Sequence, residues 1–81
     1  MHYSIEIARR ARKDLKKLDA KTADRILVKI AEMESDLSGD VKRLTDFEPE
    51  YRLRVGDFRV LFDVERDQII VRRVKNRREA Y

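Results

Sequence analysis

The sequence predicts a small α+β domain of order β-α-α-β-β-β, with two N-terminal helices packed on one face of a mainly antiparallel sheet. Three observations lead there. Apolar residues alternate with polar ones at Tyr3, Ile5 and Ile7, and again from Tyr51 onward, which is the period of half-buried strands. Between those stretches they recur at helical spacing, and only two Gly and one Pro interrupt the 81 residues. One domain spanning residues 1–81 is the expectation, and a chain this short has a thin stability margin.

The first helix is expected over about residues 8–18, where Ala11, Leu15 and Leu18 share a face and Arg10, Lys13, Lys16 and Lys17 point outward. Asp19 suits the N-cap of a second helix. Its stripe of Ala23, Ile26, Leu27, Ile30, Met33 and Leu37 runs to about residue 37, where Ser38-Gly39-Asp40 ends it. Met33 falls on that stripe and is read as core. Val41 to Leu44 either restarts the sheet or forms a connection, and residues 46–50 are an acidic loop with the only proline.

The stretch Tyr51-Arg52-Leu53-Arg54-Val55-Gly56-Asp57-Phe58-Arg59-Val60-Leu61-Phe62 predicts a hairpin about a Gly-first turn. Counting outward from Gly56-Asp57 sets Leu53 opposite Val60, Tyr51 opposite Phe62, Arg54 opposite Arg59 and Arg52 opposite Leu61. One face is then wholly apolar, and the other carries three arginines. Like charges opposed on a sheet destabilise it, so this face has the character of an anion site. A last strand is expected from Gln68 to about Lys75 after an Arg66-Asp67 turn, with Ile69 and Val71 continuing the buried face.

The charge distribution agrees. Residues 1–50 hold equal numbers of basic and acidic residues, and residues 51–81 supply the whole excess of +4. Eight of the nine cations in that second part are arginine, the side chain suited to bidentate contact with phosphate. No cysteine is present, and the lone histidine, His2, is read as an ordinary solvated residue. No metal-ligand pattern, nucleophile elbow or Gly-rich phosphate loop occurs. No cofactor is therefore expected. The absence of cysteine, of a long apolar run and of a leader pattern makes a cytoplasmic protein without membrane contact the expectation. Arginines with tyrosines nearby suit RNA, whose own 2′-hydroxyl can act as the nucleophile. Composition and pairing leave a metal-free ribonuclease and a plain RNA-binding module equally open.

The hairpin stretch closely resembles the core motif of the RelE/ParE toxin superfamily. The Ala-x-x-Asp-Leu-x-x-Leu pattern of Ala11 to Leu18, the Lys42-x-Leu44 segment and the closing Arg77-Arg78-Glu79-Ala80-Tyr81 agree with it. The resemblance implies the toxin of a type II toxin–antitoxin pair. RelE-type members enter the ribosomal A site and cut mRNA through the ribose 2′-oxygen, leaving a 2′,3′-cyclic phosphate without a metal. The expected partners are a RelB-like or other type II antitoxin, the ribosome and mRNA, with operator DNA reached only through the antitoxin. Motif matching assigns catalytic roles to Arg52, Arg54, Arg59, Arg77 and Tyr81. Arg72, Arg73, Lys75 and Arg78 are expected to contact RNA alongside them. The rival readings are a ParE-like inhibitor of DNA gyrase and a non-catalytic module acting in operon autoregulation.

Two positions depart from the family pattern. Arg52 and Arg54 stand where the best-studied enzymes often carry lysine, and an arginine cannot surrender a proton to act as a base. That role passes by expectation to Tyr81. Asn76 stands where many relatives carry histidine, which removes a potential proton donor.

Overall fold

The computed structural model describes residues 2–35, 37, 41–44 and 49–80. Strand β1 (Ser4–Ile7) leads into helices α1 (Arg9–Lys16) and α2 (Ala20–Glu32). Strands β2 (Val41–Arg43), β3 (Tyr51–Val55), β4 (Phe58–Glu65) and β5 (Gln68–Asn76) follow, and the short helix α3 (Arg77–Ala80) comes last. The five strands lie in the order β1-β5-β4-β3-β2, antiparallel throughout except for the parallel β1–β5 pair.

The helices form as their stripes dictate. Ala11 and Leu15 of α1 and Ile26, Ile30 and Met33 of the α2 stripe are buried against Leu53, Val55, Val60, Phe62, Ile69, Val71 and Val74. Those sheet residues all share one face, so both helices cover the same side. Asp19 caps α2, its carboxylate accepting from the Thr22 amide at 3.3 Å. The Thr22 side chain first and its amide second hold the exposed Asp19 carboxyl below its usual pKa.

Three details differ from the sequence reading, and one open alternative is decided. Helix α1 is shorter, ending at Lys16 with Lys17 as its C-cap. Helix α2 stops at Glu32 instead of near residue 37, because the Glu34 carbonyl accepts from the Tyr3 amide at 2.6 Å and ties the chain back to the start of β1. Leu27, counted in the apolar stripe, is 38% exposed beside Val28. Val41–Arg43 joins the sheet as an edge strand, with Val41 opposite Leu53 and Lys42 opposite Arg52. The expected Ser38-Gly39-Asp40 turn lies outside the described residues, as do residues 46–48 of the acidic loop.

The hairpin register matches the counted one at every pair: Tyr51–Phe62, Arg52–Leu61, Leu53–Val60, Arg54–Arg59 and Val55–Phe58. Tyr51 packs on the core side, its ring stacked on Phe62 with centroids 5.4 Å apart. Gly56 has φ of +57° and Asp57 does not share that sign, as a Gly-first two-residue turn requires. At the β4–β5 turn the same role falls to Arg66, with φ of +57° and no glycine.

These backbone angles set the first prediction. Space around Gly56 is open, so Gly56→Ala strains only the backbone. It should cost about 1–2 kcal/mol in urea unfolding. Arg66→Gly should leave stability unchanged or raise it by up to about 1 kcal/mol. A neutral Gly56→Ala would show that φ at the turn does not limit the hairpin.

Candidate functional site

Away from the helices, the register gathers cations in rows. Arg54 on β3 lies opposite Arg59 on β4, which lies opposite Lys75 on β5. The next row on the same face runs Lys42, Arg52, Leu61, Arg73 across four strands. Unit charges about 5 Å apart repel by about 1 kcal/mol even in full water. Like charges opposed across strands weaken a sheet unless other contacts offset them.

Arg52 and Arg59 are each only 8% exposed, whereas Arg54 is exposed. Leu61 and Ile70 are buried on this same face, outside the main core cluster. Their cationic neighbours cover apolar surface with their stems, as long basic side chains do. Arg59 folds back on the turn, its Nη1 donating to the carbonyls of Gly56 and Phe58 at 3.0 Å each. It thus clamps the hairpin tip as well as contributing charge.

Arg73 reaches this face through a bulge. Leu61 pairs with Arg73 but Phe62 pairs with Val71, so Arg72 is the extra residue. Plain alternation from Ile69 and Val71 would have turned Arg73 into the core; the bulge turns Val74 in instead. Beyond the end of β1, Asp14 of α1 takes up what this leaves. Its Oδ2 accepts from Arg73 Nε at 2.8 Å and from the Val74 amide at 2.9 Å, and its Oδ1 accepts from Arg73 Nη2 at 3.1 Å. Arg72 is paired with Asp63 at 3.0 Å, and Asp63 also accepts from the Glu50 amide at 3.0 Å.

Burial alone would raise the pKa of the Asp14 carboxyl. The bonds from Arg73 and Val74, with the charges of Arg73 and Lys17, outweigh burial and hold it below the usual carboxylate value. The bond to Asp14 in turn raises Arg73, and Glu79 of α3 adds to that. Asp14 is the Asp of the Ala-x-x-Asp-Leu-x-x-Leu pattern and the one acid among the six cations of residues 9–17, but the pattern does not disclose its contact with β5.

The C-terminal segment is tied to the hairpin tip. The Arg77 amide donates to the Asp57 carbonyl at 2.8 Å, and Arg77 Nε lies 3.9 Å from Asp57 Oδ1. Both side chains are mostly exposed, so the ion pair itself adds little. Asn76 Oδ1 accepts from the Arg78 amide at 3.1 Å and so caps α3. The residue that departs from the family pattern has a structural task here. The structure thus brings Arg52, Arg54, Arg59 and Lys75 onto one face, and fixes the Arg77 backbone to its rim. Arg72 and Arg73 sit in ion pairs at the neighbouring edge, Arg78 is exposed on α3, and Tyr81 lies outside the described residues.

Residues 5–81 match the family described as the ParE toxin of the type II toxin–antitoxin system parDE. The chain belongs to the RelE/ParE toxin superfamily. It is 36% identical over 74 residues to Toxin RelE3 of Methanocaldococcus jannaschii, a match covering 85% of this chain and 84% of the relative. Among solved structures, it is similar to the RelE–RelB complex of Pyrococcus horikoshii, with 27% identity and a TM-score of 0.80 over 99% of this chain and all of that one. The RelB–RelE antitoxin–toxin complex of Methanococcus jannaschii gives 33% identity and a TM-score of 0.76 over 93% of each chain. The protein is accordingly a type II toxin of the RelE family.

Among the described residues of this toxin, no helix is long and apolar enough to cross a membrane, and no group of His, Cys, Asp and Glu is placed to hold a metal ion.

The Asp14 contacts predict a pH signature. A carboxylate whose folded pKa is lowered stabilises the fold fully above its unfolded value and loses that contribution as pH falls through the folded one. Asp14→Asn should cost about 1–3 kcal/mol at neutral pH. In urea unfolding, its gap from wild type should narrow below about pH 4. A gap unchanged by acid would show that Asp14 acts by packing, not charge.

Proposed function

We propose that this toxin is a ribosome-dependent mRNA endonuclease that cuts in the ribosomal A site and so stops translation. The observation that carries the reading is the row Arg54–Arg59–Lys75, with Arg52 beside it and Arg77 tethered at its rim. Such a concentration of guanidinium and ammonium donors suits a phosphate. In the reaction, the 2′-oxygen of a ribose attacks the adjoining phosphorus as the P–O5′ bond breaks, giving a 2′,3′-cyclic phosphate and a 5′-hydroxyl. Negative charge grows on the phosphate oxygens, and preorganised guanidinium donors stabilise it. Arginine holds its proton too firmly to act as base. We assign the 2′-proton to Tyr81, the tyrosine that the family motif places in the site, and the departing 5′-oxygen takes up a proton from solvent. No step of this scheme requires a metal.

The partner follows from the relatives: RelE proteins of Pyrococcus horikoshii and Methanococcus jannaschii were solved bound to RelB. A cognate antitoxin covering the cationic rows and displacing α3 would silence the toxin, and operator DNA would be reached only through that antitoxin. The ParE description of the matched family favours one rival, inhibition of DNA gyrase. That activity has no evident need for the arginine rows.

In a translation reaction on a defined mRNA, wild-type toxin should cut in the A site. Arg54→Ala or Arg77→Ala should lower the cleavage rate by about 10²–10³-fold. Tyr81→Phe should lower it by about 10²–10⁴-fold, the usual worth of a general base. Intact mRNA together with loss of gyrase supercoiling activity would overturn the nuclease reading in favour of the rival. Cleavage unchanged in Tyr81→Phe would remove Tyr81 as the base.

A further inference from the structure

The charge balance between the two parts of the chain conceals a second basic surface. The acids of residues 1–50 are spread over α2 and the segments around it, whereas residues 9–17 hold six cations and one acid. All six (Arg9, Arg10, Arg12, Lys13, Lys16 and Lys17) are exposed, because Ala11 and Leu15 turn the other side of α1 into the core. The one acid, Asp14, is taken by Arg73 and the Val74 amide. Among the described residues none of the six forms an ion pair within 4 Å; Arg12 donates to the Ile7 carbonyl at 3.0 Å, and Lys17 acts on Asp14 through its charge. Helix α2 by contrast interleaves Lys21, Arg25 and Lys29 with Asp24 and Glu32.

We propose that this face of α1 is a docking ridge for the phosphate backbone of a structured RNA, separate from the row where cleavage occurs. The choice of RNA as ligand class rests on the nuclease reading. Two observations favour it over an acidic protein. A protein interface needs a desolvated apolar centre, and the outward face of α1 has none, since the exposed large apolar residues, Leu27 and Val28, lie on α2. Backbone contacts to nucleic acid need only charge at spaced intervals. At one end of the ridge, Arg9 and Arg10 line an open groove of about 650 Å³ with Arg72 and Arg73, and Glu50, Asp63 and Glu65 line it too. The ridge is therefore the continuous cationic surface here, and the groove marks its margin.

The test uses the full-length toxin and a fluorescent RNA hairpin with 2′-O-methyl riboses, which it can bind but not cut. Binding is measured across about 50–200 mM salt. The quadruple variant Arg9→Gln, Arg10→Gln, Lys13→Gln, Lys17→Gln should bind about 10- to 100-fold more weakly at the low-salt end. The slope of log affinity against log salt should flatten by about 3, since each phosphate left without its cation removes about 0.7–0.9. Circular dichroism checks that the variant folds, and the charge-conserving pair Arg9→Lys, Arg10→Lys should bind as wild type. Neutralising Lys21, Arg25 and Lys29 on α2 should have little effect. The proposal is overturned if the α1 variant binds RNA like wild type, if the α2 variant loses as much affinity, or if wild type does not bind the hairpin. Weakened antitoxin binding with RNA affinity intact would also overturn it and make the ridge a protein contact. Because the probe is uncleavable, a toxin that binds through the ridge but leaves translated mRNA whole would sink the nuclease reading alone.

Discussion

Everything distinctive about this toxin depends on the register of one hairpin. Side chains on a strand alternate faces with period two, so a slip of one residue between β3 and β4 would carry every arginine to the core and every apolar partner to water. The turn prevents the slip. Gly56 supplies the positive φ, and Arg59 then binds the carbonyls of Gly56 and Phe58, so that a residue of the cationic face also secures the turn that created it. Burial of Leu53, Val55, Val60 and Phe62 on the other side makes the alternative register far costlier than the repulsion among the cations.

That repulsion is managed by dividing the cations into groups with different duties. Arg73 and Arg72 are given carboxylates, Asp14 and Asp63, and so act as structural fasteners at the sheet edge. The Asp14 contact matters most, since it joins α1 to β5 beyond the last residue of β1, where the strand edge would otherwise have no partner for Val74. The central row sets Arg54, Arg59 and Lys75 in register across three strands, with no acid among the paired positions. The margin of this face is thus fastened by carboxylates, while cations stand in register at its centre. The same division leaves α1 basic, because its single carboxylate serves the sheet.

Much of this was legible in the sequence, for identifiable reasons. The hairpin pairs follow from strict alternation about Gly56-Asp57, and the Asp19 cap from a short polar side chain placed just before an apolar stripe. The bulge at Arg72 leaves no local mark, since a run of Val71-Arg72-Arg73-Val74 alternates equally well in two registers, and tertiary packing selects one. The early end of α2 is likewise set by a distant partner, the Tyr3 amide. Asp14 belongs to the helix motif, but its task shows only when β5 is placed beside it. Asn76 stands out only as a departure from the family pattern, and its bond to the Arg78 amide shows it acting as a helix cap. Sequence patterns report what a residue does for its own element; contacts between elements need the fold.

The central claim is that the cationic rows hold a phosphate while the RNA's own 2′-oxygen attacks it. The chemical ends of the cut mRNA test this most directly. Fragments recovered from translating ribosomes should carry a 2′,3′-cyclic phosphate upstream of the cut and a 5′-hydroxyl downstream. A 3′-hydroxyl facing a 5′-phosphate would show that water, not the ribose, was the nucleophile, and would contradict the account.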